Sequence, residues 1–133
     1  MFLNQLNDNE KEAFVSLCIH AAKANNDFAT EERNMIAEYC KEMNIVFFDA
    51  ETCKSIEDIK KLYMNSDVSV KRIVLLEVLG LMYSDGVFDN DEETFVKELA
   101  LGIGLTEEDI IIQTSLLNRY IELSKDMVKA INL

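Results

Sequence analysis

Ser84-Asp85-Gly86-Val87-Phe88-Asp89-Asn90-Asp91-Glu92-Glu93 is an acidic turn between two long apolar helical segments. An imperfect copy lies sixty residues earlier without gaps, and it aligns Asn25 with Asp85 and Glu32 with Glu92. The alignment continues through apolar positions, which pair Met35 with Phe95, Ile36 with Val96, Tyr39 with Leu99, Met43 with Ile103 and Ile45 with Leu105. Identities are few, so residue class and the absence of gaps indicate a helix-loop-helix unit used twice.

Length and composition indicate one all-helical domain. The 133 residues suffice for a single apolar core, and 49% of them are hydrophobic. The chain contains no proline and only four glycines, and its common residues are mostly good helix formers. The sequence therefore predicts an all-α fold, a single-domain bundle of six or seven helices over residues 1–133 with a pseudo-repeat at an offset of 60.

The apolar periodicity and the capping residues place the helices. The first predicted helix runs from about Asn9 to Ala24, with a cap at Asn7 or Asp8. Further helices are predicted from Thr30 to about Met43, from about Asp67 to Tyr83, and from Asp91 to Leu101. Two segments leave the number of helices open: Ile45 to Met64 forms one or two short helices, and Ile110 to Ile131 forms one helix or two. The helix that ends at Tyr83 is apolar almost all round, which predicts a central buried helix. Gly102 with Gly104 predicts a left-handed helix end, and Thr106 to Asp109 resembles a capping box.

The net charge favours some classes of binding partner over others. A formal charge of -12 repels polyphosphates, so nucleic acid and anionic lipid surfaces are not expected as direct partners. The same charge attracts cations and basic protein surfaces. Many soluble bacterial proteins are acidic without any such role, and ordinary acidity is the preferred interpretation of the net charge by itself. A protein partner is expected, and a divalent cation is the other candidate.

No segment looks like a targeting or membrane-spanning element. Residues 1–6 carry no basic region before an apolar run, so a secretory signal is not predicted. The longest apolar segment, Ile73 to Tyr83, contains Glu77 and is shorter than the roughly 20 residues that cross a bilayer. We therefore expect a cytoplasmic protein that does not insert directly into a membrane.

The cysteines and the single histidine give weak support to an enzyme. Cys18, Cys40 and Cys53 form no CxxC pair, so they are interpreted as reduced core residues and not as zinc ligands. Cys18 and His20 are two residues apart and lie on different helix faces. No Gly-rich phosphate loop, HExxH or GxSxG motif is present. We predict a non-enzyme, with an enzyme of unrecognised type around His20 as an alternative.

The acidic turn has the ligand chemistry of a hard-cation site. Carboxylates at Asp85, Asp89, Asp91, Glu92 and Glu93 are oxygen donors of the kind that Ca²⁺ and Mg²⁺ take. The turn is not an EF-hand: if Asp85 and Gly86 held positions 5 and 6 of that loop, Leu81 and Tyr83 would hold positions 1 and 3. Side chains of leucine and tyrosine do not supply the missing ligands.

Helix capping explains most of the same residues without a ligand. Gly86 would take a positive φ to turn the chain, and Asp89 or Asn90 would cap the next helix. Glu92 would complete a capping box, and Phe88 would anchor the loop in the core. This interpretation leaves Asp85 and Glu93 unexplained, so capping and cation binding both remain open.

The Asp85-Gly86, Phe88 and Glu92 pattern, followed by Ile103-Gly104-Leu105-Thr106, resembles the TerB family of tellurite-resistance-associated domains. That family carries an Ala-Asp-Gly turn, in which Ser84 replaces the Ala here, with a Glu six residues beyond the Gly and a Leu-Gly-Leu-Ser/Thr helix ending. The resemblance implies a helical bundle with internal pseudo-symmetry. It also implies divalent-cation binding or sensing within stress-response assemblies, with a partner near the membrane.

The resemblance is stronger in the second turn than in the first. Asp85, Gly86 and Glu92 stand in the motif positions, whereas the first turn keeps Thr30 and Glu32 but has Asn25-Asn26 in place of Asp-Gly. A cation site for Ca²⁺ or Mg²⁺ is therefore expected mainly in the second turn, with a contribution from Glu32 if the two turns are adjacent. The candidate metal ligands are Asp85, Asp89, Glu92, Glu93 and Glu32.

A metal-free protein-interaction scaffold is the principal alternative to a cation-binding module. Such a scaffold should show an exposed apolar patch. The sequence offers two candidates for that patch, Val46-Phe47-Phe48 and Ile131-Asn132-Leu133.

Overall fold

A computed structural model describes residues 1–24, 30–45, 53–83 and 89–133, with side chains except at 30–32. Within those ranges the chain forms six α-helices and no strand, which confirms the all-α prediction. The helices are α1 (Asp8–Lys23), α2 (Thr30–Glu42), α3 (Ile56–Met64), α4 (Val68–Met82), α5 (Asn90–Gly102) and α6 (Glu107–Ile131), and one turn of 3-10 helix, Leu3–Gln5, precedes them.

Side-chain caps start several of the helices. Asn7 accepts a hydrogen bond from the backbone N–H of Glu10, and the Glu10 carboxylate accepts from the backbone N–H of Asn7, so α1 opens with a capping box. Ser55 caps α3 through the backbone N–H of Asp58. Thr106 and Asp109 form the capping box that the sequence predicted for α6. These bonds satisfy amide groups that have no partner inside their helices.

Helix α4 forms the centre of the bundle and contacts α1, α2, α3, α5 and α6. Its fully or nearly fully buried apolar side chains are Val74, Leu75, Val78, Leu79, Leu81 and Met82. This confirms the prediction of a central buried helix. Buried apolar side chains of α1, α2, α3 and α5 pack with those of α4 in one continuous core, and Ile110 and Leu117 of α6 pack against it.

Two tyrosine hydroxyls join helices across the core by donating to backbone carbonyls. The Tyr63 hydroxyl on α3 donates to the carbonyl of Glu10 on α1 at 2.7 Å. The Tyr39 hydroxyl on α2 donates to the carbonyl of Glu77 on α4 at 3.0 Å, and its ring packs edge-on against Phe14 with centroids 5.4 Å apart. Burial raises the pKa of both tyrosines, so both hydroxyls remain protonated donors.

The boundaries of α2 and α5 repeat at the predicted offset of 60 residues. α2 and α5 each have 13 residues, and Thr30 and Asn90, their first residues, are 60 apart. Their closing turns use the same hydrogen bonds, from Ile45 N to Cys40 O and from Leu105 N to Ala100 O, both 2.8 Å. This agreement concerns single helices and turns. A pseudo-symmetric relation between the two helix pairs stays a prediction.

The end of α5 differs in part from the predicted one. Gly104 has φ 94°, so it takes the predicted left-handed conformation. Gly102 instead remains the last residue of α5, where the Lys60 side chain occupies the space that a Cβ would need, with its Cδ 2.8 Å from that position. Asn44 with φ 60° holds the equivalent place after α2, because asparagine tolerates this region better than most residues.

The described residues answer one of two open questions on helix number. Residues 107–131 form one unbroken helix, so the segment predicted as one helix or two is a single helix. One helix, α3, is described between Ile45 and Met64. Residues 46–52, where a second short helix would lie, are outside the described residues.

Asp109 joins the start of α6 to α4, and this yields a prediction. Its carboxylate accepts from the Thr106 backbone N–H at 3.0 Å and pairs with Arg72 Nε at 3.1 Å. Asp109→Ala removes both contacts and is expected to lower the free energy of unfolding by about 1–2 kcal/mol at pH 7. Urea unfolding at pH 7 measures the loss, and Arg72→Ala, which spares the cap, should cost less.

The pH dependence of that loss follows from the Asp109 pKa. The backbone hydrogen bond from Thr106, and then Arg72, lower this pKa below the ordinary value of 3.8. A lowered folded-state pKa gives stability that is present above the unfolded value and is lost as the pH falls through the folded value. The stability difference between wild type and Asp109→Ala should therefore begin to shrink near pH 3.8 and be lost once the pH is below the lowered folded-state pKa. An undiminished difference at pH 2.5 would contradict this account.

Candidate functional site

The described part of the acidic turn begins with the cap of α5. Asp89 has extended backbone dihedrals, and its Oδ1 accepts a hydrogen bond from the backbone N–H of Glu92 at 2.8 Å. The carbonyl of Asp89 accepts the first helical bond, from Glu93 N at 3.0 Å. Capping by Asp89 is therefore confirmed, and Asn90 is the first helical residue. One oxygen of Asp89 is committed to the cap.

The other acidic residues of the first turn of α5 differ in exposure. Glu92 is buried, with 4% of its surface exposed, whereas Asp91 and Glu93 are exposed. Tyr83, at the end of α4, lies near two of these carboxylates: burial first, and then the charges of Glu93 and Glu92, raise its pKa. Negative charge is thus concentrated where α4 ends and α5 begins.

Two of the five candidate metal ligands cannot be placed. Asp85 lies outside the described residues, together with Gly86 and Phe88, and the side chain of Glu32 lies outside them as well. Among the side chains that are described, no group of three or more His, Cys, Asp and Glu residues is arranged to hold a metal ion. Asp89, Glu92 and Glu93 therefore do not form a three-ligand site by themselves, and Asp85 as a ligand stays a prediction.

A second pair of carboxylates, Glu42 and Glu77, converges on the first residues of the chain. The Met1 ammonium lies 2.8 Å from an oxygen of each. Glu77 also accepts from the Phe2 N–H at 2.9 Å, and Glu42 accepts from the Leu3 N–H at 2.7 Å. Burial tends to lower the pKa of the Met1 amine, but its hydrogen bonds to Glu42 and Glu77 outweigh this and raise it.

This carboxylate pair was not predicted, although the sequence held one signal for it. Glu77 interrupts the apolar helix α4 and is only 6% exposed. A buried carboxylate requires hydrogen-bond donors or a positive charge. The donors come from a distant part of the chain, so their identity could not be read from the sequence around Glu77.

His20 occupies a structural position between α1 and the segment before α3. Its Nε2 lies 2.8 Å from the Lys54 carbonyl oxygen and 3.7 Å from Cys53 Sγ. Because a carbonyl only accepts, Nε2 carries the proton in the Lys54 contact and is not a base toward the Cys53 thiol. Cys18, the thiol considered from sequence, is fully buried, and burial raises its pKa. Neither cysteine is thereby activated as a nucleophile.

An open cavity of about 480 Å³ lies between α2, α4 and α6. Apolar and aromatic side chains supply most of its lining, among them Met35, Leu76, Leu117 and Ile121. The cavity adjoins the exposed side of α6 through Leu116 and Tyr120. Among its described lining residues, Met1 and Glu77 are charged, and they pair with each other at 2.8 Å.

These features define a class: an all-α module in which a capped acidic turn connects two helices of one core. Residues 11–114 match the family model described as Tellurite resistance protein TerB. Since the match spans well over half of the sequence, the chain belongs to the TerB family, as the motif resemblance predicted. Neither the search of curated proteins nor the search of solved structures returned a match.

The family match includes both candidate turns and ends within α6. It starts in α1 and takes in the Ile103 to Thr106 helix ending, but residue 114 is only the eighth residue of α6. Most of that helix therefore lies beyond the matched region. In the described residues, no helix combines the length and the apolar character that a membrane span needs.

Proposed function

We propose that this TerB-family chain is a non-enzymatic cytoplasmic module, one domain over residues 1–133, that binds or senses a divalent cation at residues 85–93 within a stress-response assembly of the tellurite-resistance type. The observation that carries the proposal is the position of four acidic residues at the start of α5, with Asp89 at the cap and Asp91, Glu92 and Glu93 in the first turn. A bound Ca²⁺ or Mg²⁺ would relieve the repulsion among these carboxylates.

The number of available ligands suggests weak binding. Asp89 spends Oδ1 on the α5 cap and keeps one oxygen for a cation. Glu93 is exposed, and Asp85 stands in the family's motif position. Ca²⁺ takes 6–8 oxygen ligands and Mg²⁺ takes six, so water would have to complete the shell. Flexible and water-rich coordination is typical of low-affinity sites, which suits a sensor more than a structural metal centre.

A thermal melt with and without Ca²⁺, Mg²⁺ and Mn²⁺ at fixed ionic strength tests this site. At a cation concentration 100 times Kd, wild type should gain about 2.7 kcal/mol. The double variant Asp85→Asn, Glu92→Gln should gain much less, because it loses the two motif carboxylates. A matched control, Glu12→Gln with Glu38→Gln, removes two exposed charges outside the turn and should respond like wild type.

The control separates site binding from general screening of the charge. Equal cation-induced shifts in all three proteins would mean that the ions act on the net charge of -12 and not on the turn. No shift in any of them would also sink the cation site. Either outcome would leave helix capping as the role of these acids and favour the metal-free alternative.

A metal-free protein-interaction scaffold is the second candidate, and a specific observation favours it. Ile131 and Leu133, in the predicted apolar patch, are almost completely exposed. The other predicted patch, Val46-Phe47-Phe48, lies outside the described residues. A partner with a basic surface would suit the charge of the chain, and the family resemblance suggests that such a partner is membrane-associated.

An enzyme centred on His20 has less support than either candidate. The proton on His20 Nε2 is engaged by the Lys54 carbonyl, and the adjoining cavity of about 310 Å³ also exposes charged side chains of Lys23, Glu57 and Glu98. These groups belong to the ordinary surface between α1, α3 and α5. The non-enzyme proposal rests on this geometry together with the absence of catalytic motifs in the sequence.

A further inference from the structure

Helix α6 carries an exposed apolar stripe along nearly its whole length. The α6 stripe consists of Ile112, Leu116, Tyr120, Leu123, Met127 and Ile131. Their spacing of three or four residues places them within an arc of about 100° on one side of the helix. Each is between 49% and 80% exposed. Isolated exposed apolar residues are ordinary, but a continuous row of six marks a contact surface.

The C-terminal part of α6 lacks support from the rest of the described structure. Although α6 has 25 residues, none of them is buried, and every residue from Lys125 onward is exposed. Helix segments without tertiary packing are marginal in water, because most helical stability in proteins comes from a covered apolar face. A partner on the α6 stripe would supply that cover.

The stripe is complementary to itself in an antiparallel arrangement. If Tyr120 packs opposite Leu123 of a second copy, the same register places Leu116 opposite Met127. Arg119 and Asp126 flank the stripe and are seven residues apart, so they hold equivalent heptad positions. In an antiparallel pair these equivalent positions face each other, which brings Arg119 opposite Asp126 twice by symmetry.

The side chains of Arg119 and Asp126 are available for that contact. Within the described residues neither takes part in an ion pair. Like charges at these two positions would oppose self-association, whereas the opposite charges of Arg119 and Asp126 support it. Apolar packing and charge pairing therefore agree on a single register.

The available area is sufficient for a weak dimer. The six side chains expose on the order of 600 Å², at the upper end of the largest patches on ordinary monomers (roughly 300–600 Å²). A standard interface buries roughly 800 Å² per partner, and the flanking residues would supply much of the difference. From the stripe, its charge pattern and its area, we infer that α6 is a self-association surface that pairs antiparallel with α6 of a second copy of this chain.

Sedimentation velocity measures the oligomeric state of the protein and tests the inference. Protein concentrations of about 1–200 µM are suitable, because an interface at the small end of the known sizes is expected to bind weakly. Wild type should form dimers. Leu123→Glu places a charge at the centre of the stripe and should raise the dimer Kd by about 100-fold. Ile111→Glu is the matched control, since Ile111 is 68% exposed on α6 but about 100° away from Ile112; it should dimerise like wild type.

A charge-reversal experiment tests the antiparallel register. Arg119→Asp and Asp126→Arg should each weaken dimerisation by about tenfold, because each variant faces like charges twice. An equimolar mixture of the two variants should restore wild-type association, since every facing pair is then opposite in charge. In a parallel pair position 119 would face Ser124, and the single reversals would have little effect.

The outcomes are decisive for the proposal. Circular dichroism and a thermal melt of each variant confirm that α6 and the bundle remain folded. A wild type that stays monomeric throughout the range would overturn self-association. Equal dissociation of Leu123→Glu and Ile111→Glu would overturn the assignment to the stripe, and failure of the mixture to recover would overturn the register.

Discussion

Replacing Tyr63 with alanine is expected to lower the free energy of unfolding by about 3–5 kcal/mol, the cost of emptying a large aromatic site in a packed core. Tyr63 is fully buried and is the largest of the fully buried side chains. Its hydroxyl also fixes α3 against α1 through the Glu10 carbonyl. The loss corresponds to a fall in Tm of at least roughly 10 °C in a chain of this size.

Tyr63→Phe separates the hydroxyl from the ring. The phenylalanine keeps the packing and loses only the 2.7 Å hydrogen bond to the Glu10 carbonyl, so it should cost about 0.5–1.5 kcal/mol. Chemical denaturation of wild type, Tyr63→Phe and Tyr63→Ala measures the contributions of the hydroxyl and of the ring to the free energy of unfolding. If Tyr63→Phe were as destabilising as Tyr63→Ala, the hydroxyl and not the ring volume would dominate, which would contradict this description of the core.

Gly104→Val is expected to lower the free energy of unfolding by about 2–3 kcal/mol, because a β-branched residue is strongly disfavoured at φ 94°. A Cβ at this position would also lie 3.1 Å from both Lys71 Nζ and Met64 Sδ. Both neighbours are ends of flexible side chains and can move, so backbone strain supplies most of the cost. Urea unfolding monitored by circular dichroism measures it.

Two other substitutions serve as controls for the Gly104 prediction. Gly80 lies inside α4, and a Cβ there would meet only the Tyr39 hydroxyl, at an ordinary contact distance of 3.6 Å. Gly80→Ala should therefore raise the stability by about 0.5–1 kcal/mol. Asn44→Gly, at the equivalent left-handed position after α2, should change it by only a few tenths of a kcal/mol. A tolerated Gly104→Val would show that the turn relaxes to a different conformation.

Local patterns predicted the helices well because each depends on a few adjacent residues. The caps at Asn7 and Thr106 and the left-handed Gly104 all follow from hydrogen bonds or steric limits within one turn of chain. The central position of α4 followed from its nearly continuous apolar surface. Gly102 was predicted to lie in the left-handed end of α5 but is its last helical residue, because a helix can end a residue or two later at little energetic cost.

The candidate site was predicted less completely. Asp89 was one of two expected caps, and its hydrogen bond to Glu92 N identifies it as the cap. The burial of Glu92 beside exposed Glu93 depends on how α5 is rotated against the bundle, which a run of acidic residues does not specify. The convergence of Glu42 and Glu77 on residues 1–3 was not anticipated, because these groups are far apart along the chain.

The sequence by itself determined the all-α class, most helix bounds and membership of the TerB family, because these depend on local periodicity, capping and short motifs. Only the tertiary structure decided which carboxylates are buried, what His20 contacts, and that α6 leaves an apolar stripe uncovered. Those properties arise from the packing of helices that are distant in sequence. The α6 stripe shows the difference: its amphipathic spacing is visible in the sequence, but its exposure depends on where the bundle ends.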